Sequence, residues 1–387
     1  MRGIGLIALL VVGGCLLSGA ARARAQNAVV GAAGQNTGVQ GAVAGSKDAE
    51  TLRGLRRLVD TGHADEALKQ IAQLRAEEPG RKGLSAVEGM ALYVQGQFKR
   101  AADAFALAAA ENAGDVESEE MEGLTLYRLG RPADAIPLLE GAAAKQRAGG
   151  VSRGTASPGQ DAAGAAHGQA GSVQKLDPDY LLALCYTDTR RYDDARHAFA
   201  AQFGFAPDGA SAYLLTARML LRREYLPVAQ EYAAKAVALD GALPLAHELL
   251  GEIALAGNHL DEAIAEFEKE RAMNPLEPPV YDRLGDAYGR AGRYAEAQAS
   301  LQEAVLLEPN STGPFILLGK TMLKQGDVVS AATYLERAEK MDPANYMTHS
   351  LLGQAYRLMG RKEDALKESE IAQRLLGENE PKLETVH

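Results

Sequence analysis

The sequence repeats itself every 34 residues, and this period constrains the fold more than any other feature of the chain. Residues 281–309 and 315–343 align at this distance, with glycines, alanines and a final proline in step. The register extends in both directions and gives nine repeats, with one interruption at 150–175. The repeats, numbered one to nine, begin at residues 48, 82, 116, 176, 210, 244, 278, 312 and 346. Stacking of neighbours is required for stability, because no single repeat can bury its own apolar face.

Three positions of the repeat carry small or rigid residues. Position 20 is alanine in all nine repeats, position 8 is glycine in six and position 32 is proline in five. The apolar spacing predicts two amphipathic helices per repeat. Positions 8 and 20 are then small where these helices cross most closely, and the proline ends the second helix. We expect the repeat core of the C-terminal repeats to include Gly251, Ala263, Gly285, Ala297, Gly319, Ala331, Gly353 and Ala365.

These positions resemble the tetratricopeptide repeat family, and the resemblance covers residues 48–379. It implies an all-α fold, a right-handed α-solenoid of nine stacked helix-turn-helix repeats. The N-terminal repeats depart from the pattern. Leu55 stands at position 8 of repeat one, and Tyr93 and Tyr127 stand at position 12 of repeats two and three instead of position 11.

In this family the first helices line a concave face, and positions 2, 5, 9, 12 and 13 point into it. The resemblance therefore implies a peptide groove along repeats five to nine. Its charges run basic, acidic and basic with apolar residues between, which suits an extended or helical peptide. The alternative is that they are solvated charges on a solenoid that binds elsewhere. The charged groove residues are Arg218, Arg222, Glu248, Glu252, Asp282, Asp286, Arg290, Lys320, Lys324 and Arg357.

One stretch of repeat eight, GPFILLGKT at 313–321, is similar to a phosphate-binding loop. Such a loop has four residues between its glycines, whereas five separate Gly313 from Gly319. Gly319 is position 8 of its repeat, so the stretch is predicted to be helical. Helical N–H groups are already bonded and cannot surround a phosphate. We therefore interpret the stretch as repeat core and Lys320 as a groove charge.

The N-terminus has the three-part layout of a secretory signal: a basic start, an apolar run at 4–17 and small residues before a cleavage site after Ala25. The apolar run has 14 residues, fewer than the ~20 of a spanning helix. We expect residues 1–25 to be removed and the protein to be exported, periplasmic or extracellular, without a transmembrane segment. Cys15 in VGGC leaves open a lipid-anchored alternative, in which this cysteine is acylated.

Composition and motifs argue against two classes of function. The formal net charge is −10, and removing residues 1–25 leaves 38 basic and 51 acidic residues. Such a surface disfavours nucleic acid as a partner. The seven histidines show no HExxH or other metal-ligand spacing, and no catalytic or nucleotide-binding glycine motif is present. We expect no enzyme, no cofactor, no catalytic residue and no metal site.

The predicted order is a signal peptide at 1–25, a flexible leader at 26–47, repeats one to three at 48–149, a low-complexity disordered insert at 150–175 and repeats four to nine at 176–379. A tail follows at 380–387. The leading hypothesis is a protein-protein interaction scaffold of the cell envelope. The alternative is an envelope assembly, secretion or polysaccharide-export accessory factor, tethered through Cys15 if it is acylated. Without a separate capping helix, self-association through the C-terminal end stays an open alternative.

Overall fold

The computed structural model describes residues 39–148 and 177–379, and side chains within 48–148 and 177–377. In these ranges every regular element is an α-helix, and no helix is long and apolar enough to cross a membrane. The predicted signal, Cys15, the insert and the tail lie outside the described residues.

Eighteen helices fall within the described ranges, and successive helices fall two to each of the nine predicted repeats. This arrangement confirms the all-α helical-repeat solenoid. The first helix starts at Val39, inside the segment predicted as a leader. The helices are α1 (Val39–Asp60), α2 (Ala64–Glu77), α3 (Leu84–Val94), α4 (Phe98–Glu111), α5 (Val116–Arg128), α6 (Pro132–Ala148), α7 (Pro178–Asp188), α8 (Tyr192–Phe203), α9 (Ala210–Arg222), α10 (Leu226–Leu239), α11 (Ala246–Ala256), α12 (Leu260–Met273), α13 (Pro278–Arg290), α14 (Tyr294–Leu307), α15 (Thr312–Gln325), α16 (Val328–Met341), α17 (Tyr346–Leu358) and α18 (Lys362–Asn379).

The described residues form two compact blocks, an N-terminal and a C-terminal one, and the division between them falls between Ala198 and Phe199, within α8. In the C-terminal block each second helix packs against the first helix of the next hairpin. The first helices also contact one another directly, α9 with α11, α11 with α13, α13 with α15 and α15 with α17. They therefore form one continuous layer, which is the layer that carries the predicted groove.

Glycine at position 8 makes room for one particular side chain. A Cβ at Gly89 would lie 2.7 Å from the ring of Phe105, and one at Gly251 would lie 2.5 Å from the ring of Phe267. Both aromatic residues stand at position 24, on the second helix of the same hairpin. At Gly319, which lies inside α15 as predicted, the position-24 residue Leu335 occupies the same space.

The same packing recurs with leucine at Gly285, and Gly353 faces the smaller Ser369. The alanines at position 20 are buried: Ala263, Ala297 and Ala331 have no exposed surface, and Ala365 is 5% exposed.

The turn within each hairpin requires left-handed backbone at position 15. Gly292 and Gly360 adopt φ of +76° and +79° there, a conformation that glycine accepts without a steric penalty. Repeats five and six make the same turn with Glu224 and Asn258, at φ of +62° and +61°. The turn geometry is therefore set by the repeat, and it persists where glycine is absent.

Candidate functional site

All ten predicted groove charges lie on the first-helix layer of the C-terminal block. Two stand on α9, two on α11, three on α13, two on α15 and one on α17. The structure brings them onto one layer but gives them different surroundings. The acidic residues of repeats six and seven are partly or fully buried, whereas the basic residues of repeats eight and nine are exposed.

Acidic residues of α11 pair with arginines of the neighbouring repeats. A guanidinium nitrogen of Arg218 lies 3.9 Å from Oε2 of Glu248. On the other side, Arg283 donates from Nε to Oε1 of Glu252 at 3.0 Å. Arg283 stands at position 6, outside the positions predicted to face the groove. These carboxylates therefore hold adjacent hairpins together and are less available to a partner.

Arg290 is also occupied within the chain. It donates to the carbonyl oxygen of Leu255 at 3.2 Å and to Oδ1 of Asn258 at 2.9 Å. Its other terminal nitrogen lies 3.8 Å from Asp286. Arg290 thus joins repeat seven to repeat six, and its charge is largely satisfied before any ligand arrives.

Glu248 is the most perturbed acid of this layer. Burial, reinforced by repulsion from Glu252, raises its pKa to about 7, and attraction to Arg218 and Arg283 does not compensate. The residue is 7% exposed. Burial dominates because the carboxyl is almost entirely removed from water, while the guanidinium of Arg218, at 3.9 Å, lies beyond hydrogen-bond distance.

Asp282 is a second perturbed acid, on α13. Its Oδ1 is buried without a hydrogen-bond partner in the described part of the chain. Burial raises its pKa, and the attraction of Arg283 only partly offsets that effect. The carboxylate lies beside Gly313 at the start of α15. The junction of repeats seven and eight therefore contains an unsatisfied acidic group.

Four basic residues remain without partners. Arg222, Lys320, Lys324 and Arg357 are exposed, and none has a hydrogen bond or ion pair within the described ranges. The side chain of Met347 lies on the same layer and is 44% exposed. The predicted charges thus fall into two groups. The acidic residues of repeats six and seven are mostly paired or buried, whereas four basic residues of repeats five, eight and nine are unpaired within the described ranges.

A hydrogen bond between neighbouring repeats was not predicted from the sequence. The hydroxyl of Tyr288, at position 11, donates to Oε1 of Glu268, at position 25 of the preceding repeat, at 2.6 Å. The guanidinium of Arg293 lies 4.5 Å from the centre of the Tyr288 ring and pairs with Glu296. Burial, together with the bond to Glu268, raises the pKa of Tyr288 to about 12.

The same Tyr–Glu bond joins Tyr356 to Glu336 at 2.9 Å and also joins Tyr186 to Glu140. Both partners appear together in the sequence: tyrosine at position 11 coincides with glutamate at position 25 of the preceding repeat. At the junction of repeats seven and eight these positions hold Met322 and Gln302 instead. This paired change was the signal that could have revealed the bond.

In the N-terminal block, a small cleft lies on the first-helix layer of repeats one to three. Its floor is apolar and includes Val87, Met90 and Met121. On its rim Arg56 forms two hydrogen bonds to Glu117, at 3.0 and 2.5 Å. No site was predicted in this cleft from the sequence.

The second helix of the C-terminal hairpin, α18, exposes both polar and apolar side chains. Ser369 and Glu370, on α18, occupy positions 24 and 25 of repeat nine, and Glu370 is exposed. Leu366 is 65% exposed, although its counterpart in repeat six, Ile264, is buried. Self-association through this end stays a prediction.

Sequence comparison identifies the class of protein that this architecture represents. Family models described as Tetratricopeptide repeat match residues 278–311, 52–116 and 316–375. The first match coincides with repeat seven. Of the other two, residues 52–116 lie in the N-terminal block and residues 316–375 in the C-terminal block. Together with the 34-residue helical period, they show that the chain is a tetratricopeptide repeat protein.

Individual relatives are distant. The chain is 28% identical over 97 residues to the tetratricopeptide repeat domain-containing protein PYG7, chloroplastic, of Arabidopsis thaliana. That match covers 24% of this chain and 32% of the relative, so it spans about a third of that protein's length.

Similar solved structures include YrrB, described as a TPR protein with an unusual peptide-binding site, at 21% identity and a TM-score of 0.40, over 48% of this chain and 95% of that one. MamA matches at 18% identity and a TM-score of 0.39, over 42% and 95%. The Cut9–Hcn1 hetero-tetramer of APC/C matches at 16% identity and a TM-score of 0.40, over 77% of this chain and 54% of that one.

Proposed function

We propose that this protein is a non-enzymatic scaffold of the cell envelope that binds a peptide or protein segment along the first-helix layer of repeats five to nine. One observation carries the proposal: Lys320, Lys324 and Arg357 are exposed and unpaired within the described ranges, whereas the acids of repeats six and seven are partly or fully buried. Exposed cations beside apolar groups such as Met347 suit a segment that combines carboxylates with apolar side chains. Location in the envelope is supported by the signal layout of residues 1–25.

Charge reversal on the two helix layers tests the binding face. The groove variant carries Lys320→Glu, Lys324→Glu and Arg357→Glu. Its matched control carries the same net change on second helices, at the exposed residues Lys235, Lys340 and Lys367.

Both variants and the unmodified chain are used to capture partners from envelope extract, and circular dichroism checks that each is folded. We expect a protein captured by the unmodified chain and the control to be lost from the groove variant. If both variants retain the same partners, the binding face lies elsewhere.

The alternative is an assembly, secretion or polysaccharide-export accessory factor tethered to a membrane. It is favoured by Cys15, whose VGGC context is similar to an acylation signal. The intact mass of the exported protein separates the two proposals. An N-terminus at Gln26 without lipid excludes the tether, and a mass beginning at Cys15 with acyl chains supports it.

A further inference from the structure

Three potential metal ligands meet where repeats eight and nine join. Glu339 lies on α16, His349 on α17 and Glu368 on α18, so each comes from a different helix. One carboxylate oxygen from each glutamate and one ring nitrogen of the histidine all lie within 4.8 Å of one another. No sequence motif announces this cluster, because its members are brought together only by packing of successive hairpins.

The imidazole is held in an orientation that suits a ligand. Nε2 of His349 lies 2.9 Å from the carbonyl oxygen of Pro343, an acceptor that fixes the N–H on that nitrogen. The other nitrogen, Nδ1, then faces Oε2 of Glu368 at 2.6 Å. Histidines that bind metals commonly donate their second ring nitrogen to a carbonyl in this way. His349 and Glu368 are 2% and 6% exposed, and Glu339 is half-buried, so the cluster is open to solvent on the side of Glu339 alone.

Repeat six provides an internal comparison. His247 and Glu266 stand at the same repeat positions, 4 and 23, and also lie 2.6 Å apart. There the carboxylate receives a hydrogen bond from Lys269 at 2.7 Å. The residue that corresponds to Glu339 is Val237.

Repeat nine reverses both features. Isoleucine replaces the lysine, at Ile371, and Glu339 adds a second carboxylate. The His–Glu bond is therefore a shared packing device, but only in repeat nine is a cation removed and a carboxylate added.

We propose that Glu339, His349 and Glu368 form a binding site for a divalent transition-metal ion of the Zn²⁺ class. One imidazole nitrogen and two carboxylate oxygens are ligand types that zinc accepts, and a tetrahedral ion leaves a fourth position for water or a further ligand. Bonds of about 2.0–2.2 Å place tetrahedral ligand atoms about 3.3 Å apart. The side chains therefore need only small rotations, and the ion takes the place of the proton shared by His349 and Glu368, which is released to solvent.

Such an ion would connect three helices of two hairpins. It would stabilise the C-terminal end of the array, because an ion that binds the folded state alone favours folding by mass action.

The test uses the full mature chain, freed of metal by a chelator, and zinc sulfate as the probe. Isothermal titration calorimetry is expected to show one zinc ion per chain, and zinc is expected to raise the melting temperature. Glu339→Gln is the decisive variant, because it leaves the His349–Glu368 bond and hence the folded hairpin in place. We expect it to weaken zinc binding about 10-fold or more.

His247→Gln is the control for binding by histidines elsewhere, and it should leave the affinity unchanged. Cobalt substitution adds a spectroscopic readout, since a tetrahedral site gives intense visible bands that Glu339→Gln should remove. Absence of one-to-one zinc binding to the unmodified chain overturns the proposal. Equal affinity of the unmodified chain and Glu339→Gln also overturns it.

Discussion

Replacement of Glu248 by glutamine is expected to remove much of the pH dependence of stability in repeat six. Burial raises the pKa of this carboxyl from its ordinary 4.5 to about 7 in the folded chain. Between these two values the folded state binds more protons than the unfolded state. The contribution of protonated Glu248 to the free energy of unfolding is therefore present in full below pH 4.5, and it is lost as the pH rises through about 7.

The magnitude follows from the size of the pKa change. Each pH unit is worth about 1.4 kcal/mol, so ionisation of Glu248 costs on the order of 3 kcal/mol when the pH rises from 4.5 to 8. Glutamine has nearly the same shape and carries no charge. The loss of stability over this range should therefore be smaller in Glu248→Gln by a large part of that amount.

Urea denaturation followed by circular dichroism, at pH 5 and pH 8, measures the difference between the two proteins. Because repeat arrays can open locally, hydrogen exchange of peptides from α11 provides a second, local measurement. Glu303→Gln is a suitable control, since Glu303 is exposed on the second helix of repeat seven. If Glu248→Gln and the unmodified chain lose equal stability between pH 5 and pH 8, the argument from burial is wrong.

Two further pairs of substitutions test the packing of the repeats. Gly123→Ala should destabilise the chain by about 1–3 kcal/mol, because its Cβ would lie 2.7 Å from a buried leucine. Gly141→Ala in the same hairpin meets no atom within 4 Å and should stabilise the chain by about 0.5–1 kcal/mol. Equal urea midpoints for these two variants would contradict the steric account. Tyr288→Phe should lower the free energy of unfolding by about 1–3 kcal/mol, because it removes the hydrogen bond to Glu268. Tyr294→Phe is the control and should change the melting temperature little. An equal loss of stability in both variants would contradict a role for the hydrogen bond.

The fold was predictable because the period is a local property that recurs. The residue pattern of each repeat predicts the same helix lengths, turn and helix crossing. The same prediction is therefore made independently nine times along the chain. Position 15 shows the strength of this redundancy. Glu224 and Asn258 do not signal a left-handed turn as strongly as glycine, yet the register places the turn there, and both adopt positive φ.

The candidate site was less predictable because it depends on contacts between repeats. Family positions correctly place Arg290 and Glu252 on the first helices, but they do not tell whether a neighbouring side chain will occupy them. Arg283 lies outside the predicted groove positions and still pairs with Glu252. Position within a repeat follows from the period, whereas availability to a partner follows from the residue that the next repeat supplies.

Glu339 and Glu368 illustrate the same limit. They stand 29 residues apart in sequence, on helices of different repeats, and only the stacking of α16 against α17 and α18 brings them near one imidazole. A short helical motif such as HExxH places its ligands on one element, so it cannot find a cluster built at a junction.

The uneven bonding of the junctions has a mechanical consequence. Repeats six and seven are joined by the Tyr288–Glu268 bond and by Arg283 and Arg290, and repeats eight and nine by the Tyr356–Glu336 bond. Between repeats seven and eight, the described side chains form apolar contacts but no hydrogen bond or ion pair.

Directional bonds resist rotation more strongly than apolar contacts, which can slide. Bending should therefore concentrate at this junction, where the Asp282 carboxylate lies unsatisfied. Bending at this junction would change the distance between the acidic residues of repeats six and seven and the exposed cations of repeats eight and nine.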